Sequence, residues 1–134
     1  MTRNSPAETV GIVVGHGSLP GALRDAALEI VGSNTGLEVV SNVNLESGRM
    51  DELLEQAVHD HPGSEMLVFV DLYGSSCSQA SARLKRAHPG VAVICGVNLP
   101  MLVRFLYYRT KLDFARLVEL MHQTGIEEIK PGQF

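Results

Sequence analysis

Ile12–Leu23 reads IVVGHGSLPGAL, and the fold turns on how this stretch divides. Ile12, Val13 and Val14 end a continuous apolar run that starts at Val10, short and β-branched enough for a buried strand. From Pro20 to Val31 the apolar residues Ala22, Leu23, Ala26, Ala27, Ile30 and Val31 recur at helical spacing, and Gly32 closes the helix. Between strand and helix stands His16, an ionisable imidazole held by Gly15 and Gly17. A strand that runs straight into a helix through so short a turn is the opening of a βαβ unit.

The same alternation continues outward. Leu37–Val43 (LEVVSNV) reads as a second strand, and Met50, Leu53, Leu54, Ala57 and Val58 form a second helical stripe ended by His61–Gly63 (HPG). Glu65–Asp71 (EMLVFVD) is apolar almost throughout, as expected of a central strand in a parallel sheet. Cys77–Ala87 reads as a helix and Val91–Val97 as a fourth strand. A helix starts near Pro100 and runs toward Arg109, and another spans Phe114–Gln123. The tail Ile126–Lys130 (IEEIK) is read as a short last strand. The pattern predicts an α/β fold: an open, mainly parallel sheet of order 2-1-3-4 with helices on both faces, and the short C-terminal strand antiparallel to it. One domain over residues 1–134 is expected, with 1–9 flexible.

Composition narrows the function classes. The chain has 134 residues, 45% of them hydrophobic and 19% charged, within the range of soluble globular domains. A net charge of −4 argues against a nucleic-acid binder that works by neutralising phosphates. No apolar run approaches the roughly 18 residues of a membrane span, and MTRNSPAET lacks the apolar stretch of a signal peptide, so a cytoplasmic location is expected. Trp is absent and aromatics are 5%, too few for a stacking platform. Cys77 and Cys95 form no metal or disulfide framework; Cys95, in VAVICGV, reads as a buried thiol, whereas Cys77 falls in a polar, Ser-rich loop.

In an open α/β sheet the ligand site lies beyond the carboxyl ends of the strands, where strand order reverses. Strand one delivers His16 there, strand two NVNLESG, strand three DLYGSSCS with Asp71 first, and strand four GVNLP. With order 2-1-3-4, His16 and Asp71 face each other across the switch point. A carboxylate on one imidazole nitrogen fixes the tautomer and leaves the other nitrogen free as nucleophile or ligand. The run YGSSCS places glycine, hydroxyls and backbone N–H groups before a helix, a phosphate-binding arrangement. Together they suggest phosphoryl transfer through a phosphohistidine. His59, His61, His88 and His122 have helix-end or surface settings without ligand spacing, and Arg83, Lys85 and Arg86 read as a solvated face. No metal site and no cofactor are expected.

Three segments carry a family resemblance: Ile12–Gly32 (IVVGHGSLPGALRDAALEIVG), Leu67–Ser81 (LVFVDLYGSSCSQAS) and Gly96–Leu102 (GVNLPML). In this order and at these separations the chain resembles the enzyme IIA domain of the mannose-type branch of the bacterial sugar phosphotransferase system, over roughly Val10–Lys130. The resemblance implies that His16 is phosphorylated by the phosphohistidine carrier HPr and passes the group to a separate IIB component, with membrane IIC and IID partners served indirectly at the membrane. It implies that Asp71 orients His16, and that Gly17, Tyr73, Gly74, Ser75 and Ser76 surround the phosphoryl oxygens, Ser76 standing where the family has its serine. It also implies a homodimer in which the IEEIK strand is exchanged. The family's loop has two glycines, then serine and proline; here Gly74 is followed by Ser75, Ser76 and Cys77, and Tyr73 stands where tryptophan is often found. The same histidine would serve a regulatory phosphorylation sensor. An HGS histidine could also belong to a tetrapyrrole metal chelatase, and a small-ligand-binding module is the remaining alternative.

Overall fold

The computed structural model describes residues 8–132. Nine elements alternate: β1 (Val10–Gly15), α1 (Leu19–Val31), β2 (Leu37–Ser41), α2 (Arg49–Asp60), β3 (Met66–Val70), α3 (Ser76–Ala87), β4 (Val91–Cys95), α4 (Leu99–Tyr108) and α5 (Phe114–Glu127). The four strands form one parallel sheet of order β2-β1-β3-β4, as the alternation predicts.

Strand periodicity explains the continuous apolar runs. On one face Ile12, Val14, Met66, Val68 and Val70 pack with Leu54 and Ala57 of α2 and with Cys77, Ala80 and Leu84 of α3. On the other, Val13, Leu67 and Phe69 pack with Ala27 of α1, Met101, Leu102 and Phe105 of α4, and Leu117 and Met121 of α5. Successive side chains of a strand point to opposite faces, so a strand covered on both sides must be apolar at every position. All five residues of β3 are buried. Phe69 and Phe105 meet edge to face with ring centroids 5.1 Å apart, joining sheet and α4.

Several boundaries differ from the sequence reading. The tail is not a strand: α5 continues through Ile126 and Glu127, and Glu128 caps it with its N–H on the Thr124 and Ile126 carbonyls. Gly125 inside that helix is buried and packs closely against Met101, which explains why glycine interrupts no turn there. Asn42 and Val43, expected to extend β2, and Gly96 and Val97, expected to extend β4, instead begin the loops after Ser41 and Cys95. Of the leader expected to be flexible, residues 1–7 lie outside the described residues. Thr9 is buried, and it receives the Arg109 guanidinium on its carbonyl at 3.0 Å. Among the described residues no helix is long and apolar enough to cross a membrane.

Candidate active site

The loops after β1, β2 and β3 meet at the carboxyl end of the sheet. His16 follows Gly15, the last residue of β1, and its side chain is 46% exposed. Asp71 follows Val70 of β3, with its side chain only 10% exposed. Asp71 Oδ2 lies 2.9 Å from His16 Nδ1 and accepts the His16 backbone N–H at 2.9 Å. A carboxylate oxygen can only accept, so Nδ1 is the donor and Nε2 carries the free lone pair. The approach requires a glycine before the histidine, since a Cβ at Gly15 would stand 2.5 Å from Asp71 Cγ. Asp71 Oδ1 is buried without a hydrogen-bond donor among the described residues, a condition that costs the fold free energy.

The DLYGSSCS segment turns at Gly74, whose φ is +85°, and enters α3. Ser75 is extended at φ −77°, a conformation open to any residue, so the second glycine of the family's loop is not required here. Its hydroxyl donates to the Leu72 carbonyl at 2.7 Å and accepts the Ser78 N–H at 3.2 Å. Serine at this place is thus an N-cap. Ser76 follows as the first helical residue and is exposed, and Tyr73 is 85% exposed at the rim. The structure therefore brings His16, Asp71, Gly74, Ser75 and Ser76 to the same end of the sheet, while Ser75 spends its hydroxyl on the cap.

Gly17 is placed differently. Its N–H donates to Asn42 Oδ1 at 3.1 Å and its carbonyl accepts the Ser41 hydroxyl at 2.7 Å, so its polar groups are directed to the end of β2. Asn42, the first residue of NVNLESG, and Ser41, the last residue of β2, are neighbours of this constellation that the sequence reading passed over; an amide side chain directly after a strand on the switch-point side was the available signal. Cys77 lies in the helix expected of Cys77–Ala87 and not in the Ser-rich loop. It is buried in the first turn of α3, and Cys95 is half-buried against the same cluster. Burial pushes both thiols up in pKa, and the Asp71 carboxylate adds to the shift.

Arg83 of the basic cluster lines a cavity with Asn42 and Ser76, and His122 lines another with Tyr73. His61 and His88 cap α2 and α3 and pair with Glu38 and Glu55 respectively. Arg83 makes a two-pronged ion pair from α3 to Asp51 of α2, at 2.8 and 3.1 Å, which holds the Asp51 carboxyl below its ordinary range. Among the described residues no group of three or more His, Cys, Asp or Glu is arranged to hold a metal ion.

Comparison with known proteins assigns the family. The family model EIIA-man, described as PTS system fructose IIA component, matches residues 11–122. The chain is 32% identical over 109 residues to the PTS system fructose-specific EIIA component of Bacillus subtilis (strain 168), covering 80% of this chain and 75% of that one. It is 33% identical over 91 residues to the PTS system sorbose-specific EIIA component of Klebsiella pneumoniae, 67% of each. A phosphotransferase system component EIIA from Streptococcus agalactiae superposes with a TM-score of 0.83 at 24% identity, covering 92% of this chain and 96% of that one. The mannose/sorbose-specific IIA subunit from Enterococcus faecalis gives 0.82 at 18% identity, covering 96% and 97%. The two structures share the fold, and the sequence matches carry the assignment: this chain belongs to the mannose-type enzyme IIA family of the phosphotransferase system.

Proposed function

We propose that this chain is the phosphocarrier IIA component of a sugar phosphotransferase system, accepting a phosphoryl group from phospho-HPr on His16 Nε2 and passing it to a IIB component. Members of its family are phosphotransferases that work through a phosphohistidine and exchange the group with HPr and IIB partners. The observation that carries the assignment to His16 is the 2.9 Å contact from its Nδ1 to buried Asp71, which leaves Nε2 exposed.

The chemistry follows from that contact. Neutral His16 directs the Nε2 lone pair at the phosphorus, in line with the bond to the donor's imidazole nitrogen. The new N–P bond forms as the old one breaks, and the donor ring leaves neutral. Positive charge develops on the His16 ring, whose Nδ1–H stays hydrogen-bonded to Asp71; a carboxylate fixed there beforehand stabilises that charge without reorganising. The phosphoryl oxygens are received by amides at the start of α3, by the Ser76 hydroxyl and by the Gly74 turn, where the helix dipole favours negative charge. Exposed Leu72 and Tyr73 form the apolar rim on which HPr and IIB seat. The chain acts in the cytoplasm, reaching the membrane only through its partners, as a homodimer and as one domain over 1–134.

Intact-mass measurement after incubation with phosphoenolpyruvate, enzyme I and HPr tests the reading. A single acid-labile phosphoryl adduct is expected on the parent chain and none on His16→Ala. No adduct, with HPr shown to be charged in the same tube, would remove the carrier function.

A further inference from the structure

Asn42 holds the chain on both sides of His16. Its backbone N–H donates to the Gly15 carbonyl at 2.9 Å, and its side-chain Oδ1 accepts the Gly17 N–H at 3.1 Å. Ser41 adds a third bond by donating its hydroxyl to the Gly17 carbonyl at 2.7 Å, and the Val43 N–H donates to that hydroxyl at 3.2 Å. These contacts come from the end of β2, a strand that contributes neither the histidine nor its carboxylate.

The flanking glycines explain why such a clamp is needed. Gly15 must lack a Cβ to admit Asp71, and Gly17 adopts φ +59°. Glycine rotates about its backbone with little steric penalty, so a histidine between two glycines sits on a turn with no stiffness of its own. Asp71 fixes the ring through Nδ1 and the peptide before His16 through its N–H. Both bonds converge on one oxygen, Oδ2, and leave the peptide between His16 and Gly17 free to swing about that point. Its remaining restraints are the Leu19 N–H on the His16 carbonyl at 3.2 Å and the Asn42 side chain on the Gly17 N–H. Of these only Asn42 joins that peptide to the end of β2, while Ser41 holds the next peptide at the Gly17 carbonyl.

We propose that Asn42, backed by Ser41, is the positioning residue of this site: it locks the Gly15–Gly17 turn so that His16 Nε2 meets the incoming phosphorus in line. This rests on His16 being the phosphoryl acceptor. Asn42 acts through the turn and leaves the chemistry to His16 and Asp71. The Gly17 N–H belongs to the clamp and not to the phosphoryl oxygens.

The test compares the parent chain with Asn42→Ala, Ser41→Ala and Asn42→Asp. Phosphoryl transfer from phospho-HPr is measured together with Gly17 amide exchange and the His16 ring nitrogen shifts by NMR. Because in-line alignment is at stake, Asn42→Ala is expected to lower kcat about tenfold or more while KM for phospho-HPr stays within about twofold. Gly17 exchange should quicken by about tenfold as the local opening becomes easier. Asn42→Asp keeps an acceptor oxygen and should restore Gly17 protection. Ser41→Ala should move the same readouts in the same direction by less, and it keeps the test open if Asn42→Ala proves poorly folded. An Asn42→Ala chain with parental kcat, or one with lower kcat and unchanged Gly17 exchange, overturns the proposal. A parent chain that takes no phosphoryl group on His16 overturns the carrier reading instead, and the exchange data separate the two outcomes.

Discussion

At the scale of single residues, Asp71 carries the site's tightest set of contacts with His16. It is nearly buried, one oxygen serves His16 twice, and the other has no donor among the described residues. A fold selected only for stability would satisfy or remove such a carboxylate. Its value lies in the charge it presents to a ring that becomes cationic. Asp71→Asn keeps size and one acceptor but loses that charge, so transfer to His16 is expected to slow by about a hundredfold or more in a chain that still folds; rapid-quench phosphorylation with circular dichroism as the fold control checks this. His16 and Asp71 were legible in the sequence because each is the first polar side chain after a strongly apolar strand, and the topology predicted from the alternation made those two strands neighbours. Asn42 was legible only as a polar residue just past β2. Its role depends on which peptide its amide reaches, 25 residues back at Gly17, and no local pattern encodes that distance.

At the scale of elements, the start of α3 shows how a changed loop keeps its shape. Ser75 and Cys77 replace a glycine and a proline of the family's loop, losing freedom at one position and a fixed φ at the other. The structure absorbs both changes. Ser75 needs no glycine conformation and gives the helix a side-chain cap, and Cys77 tucks its thiol into the core between β3 and α3. Ser75→Ala is expected to lower the unfolding free energy by about 1 kcal/mol, and Ser75→Gly by only a few tenths; urea unfolding curves measure both, and equal losses for the two variants would deny the cap. Sequence alone read Cys77 both as the start of a helix and as part of a Ser-rich loop, because Ser-Ser-Cys-Ser has no periodicity to read. The tail failed for a different reason: Ile126 and Ile129 stand three residues apart, a helical and not a strand spacing, at the end of a helix already running from Phe114.

At the scale of the whole molecule, the two sheet edges are unlike. β2 carries Glu38, which pairs with His61 and interrupts its apolar surface. β4, Val91–Cys95, has no charged residue, and all but Val91 are only half-buried. Beside it lies a cavity of about 530 Å³ lined by Tyr73, Val93, Ile94, Cys95, Val118 and His122. Val118, His122 and Ile126 follow one another at four-residue spacing on α5, so the face that borders the cavity runs on toward Ile126 and Ile129, which are 61% and 77% exposed. An uncharged strand edge next to exposed isoleucines invites association with another copy of itself. The proposed homodimer is therefore expected to use β4 and the end of α5. Sedimentation velocity at micromolar concentration should give a dimer for the parent chain and a monomer for the double variant Ile126→Asp, Ile129→Asp, since two carboxylates desolvated in an apolar contact cost more than the contact returns. A dimer that survives both substitutions would move the interface elsewhere, and a monomeric parent would leave each active site to act alone.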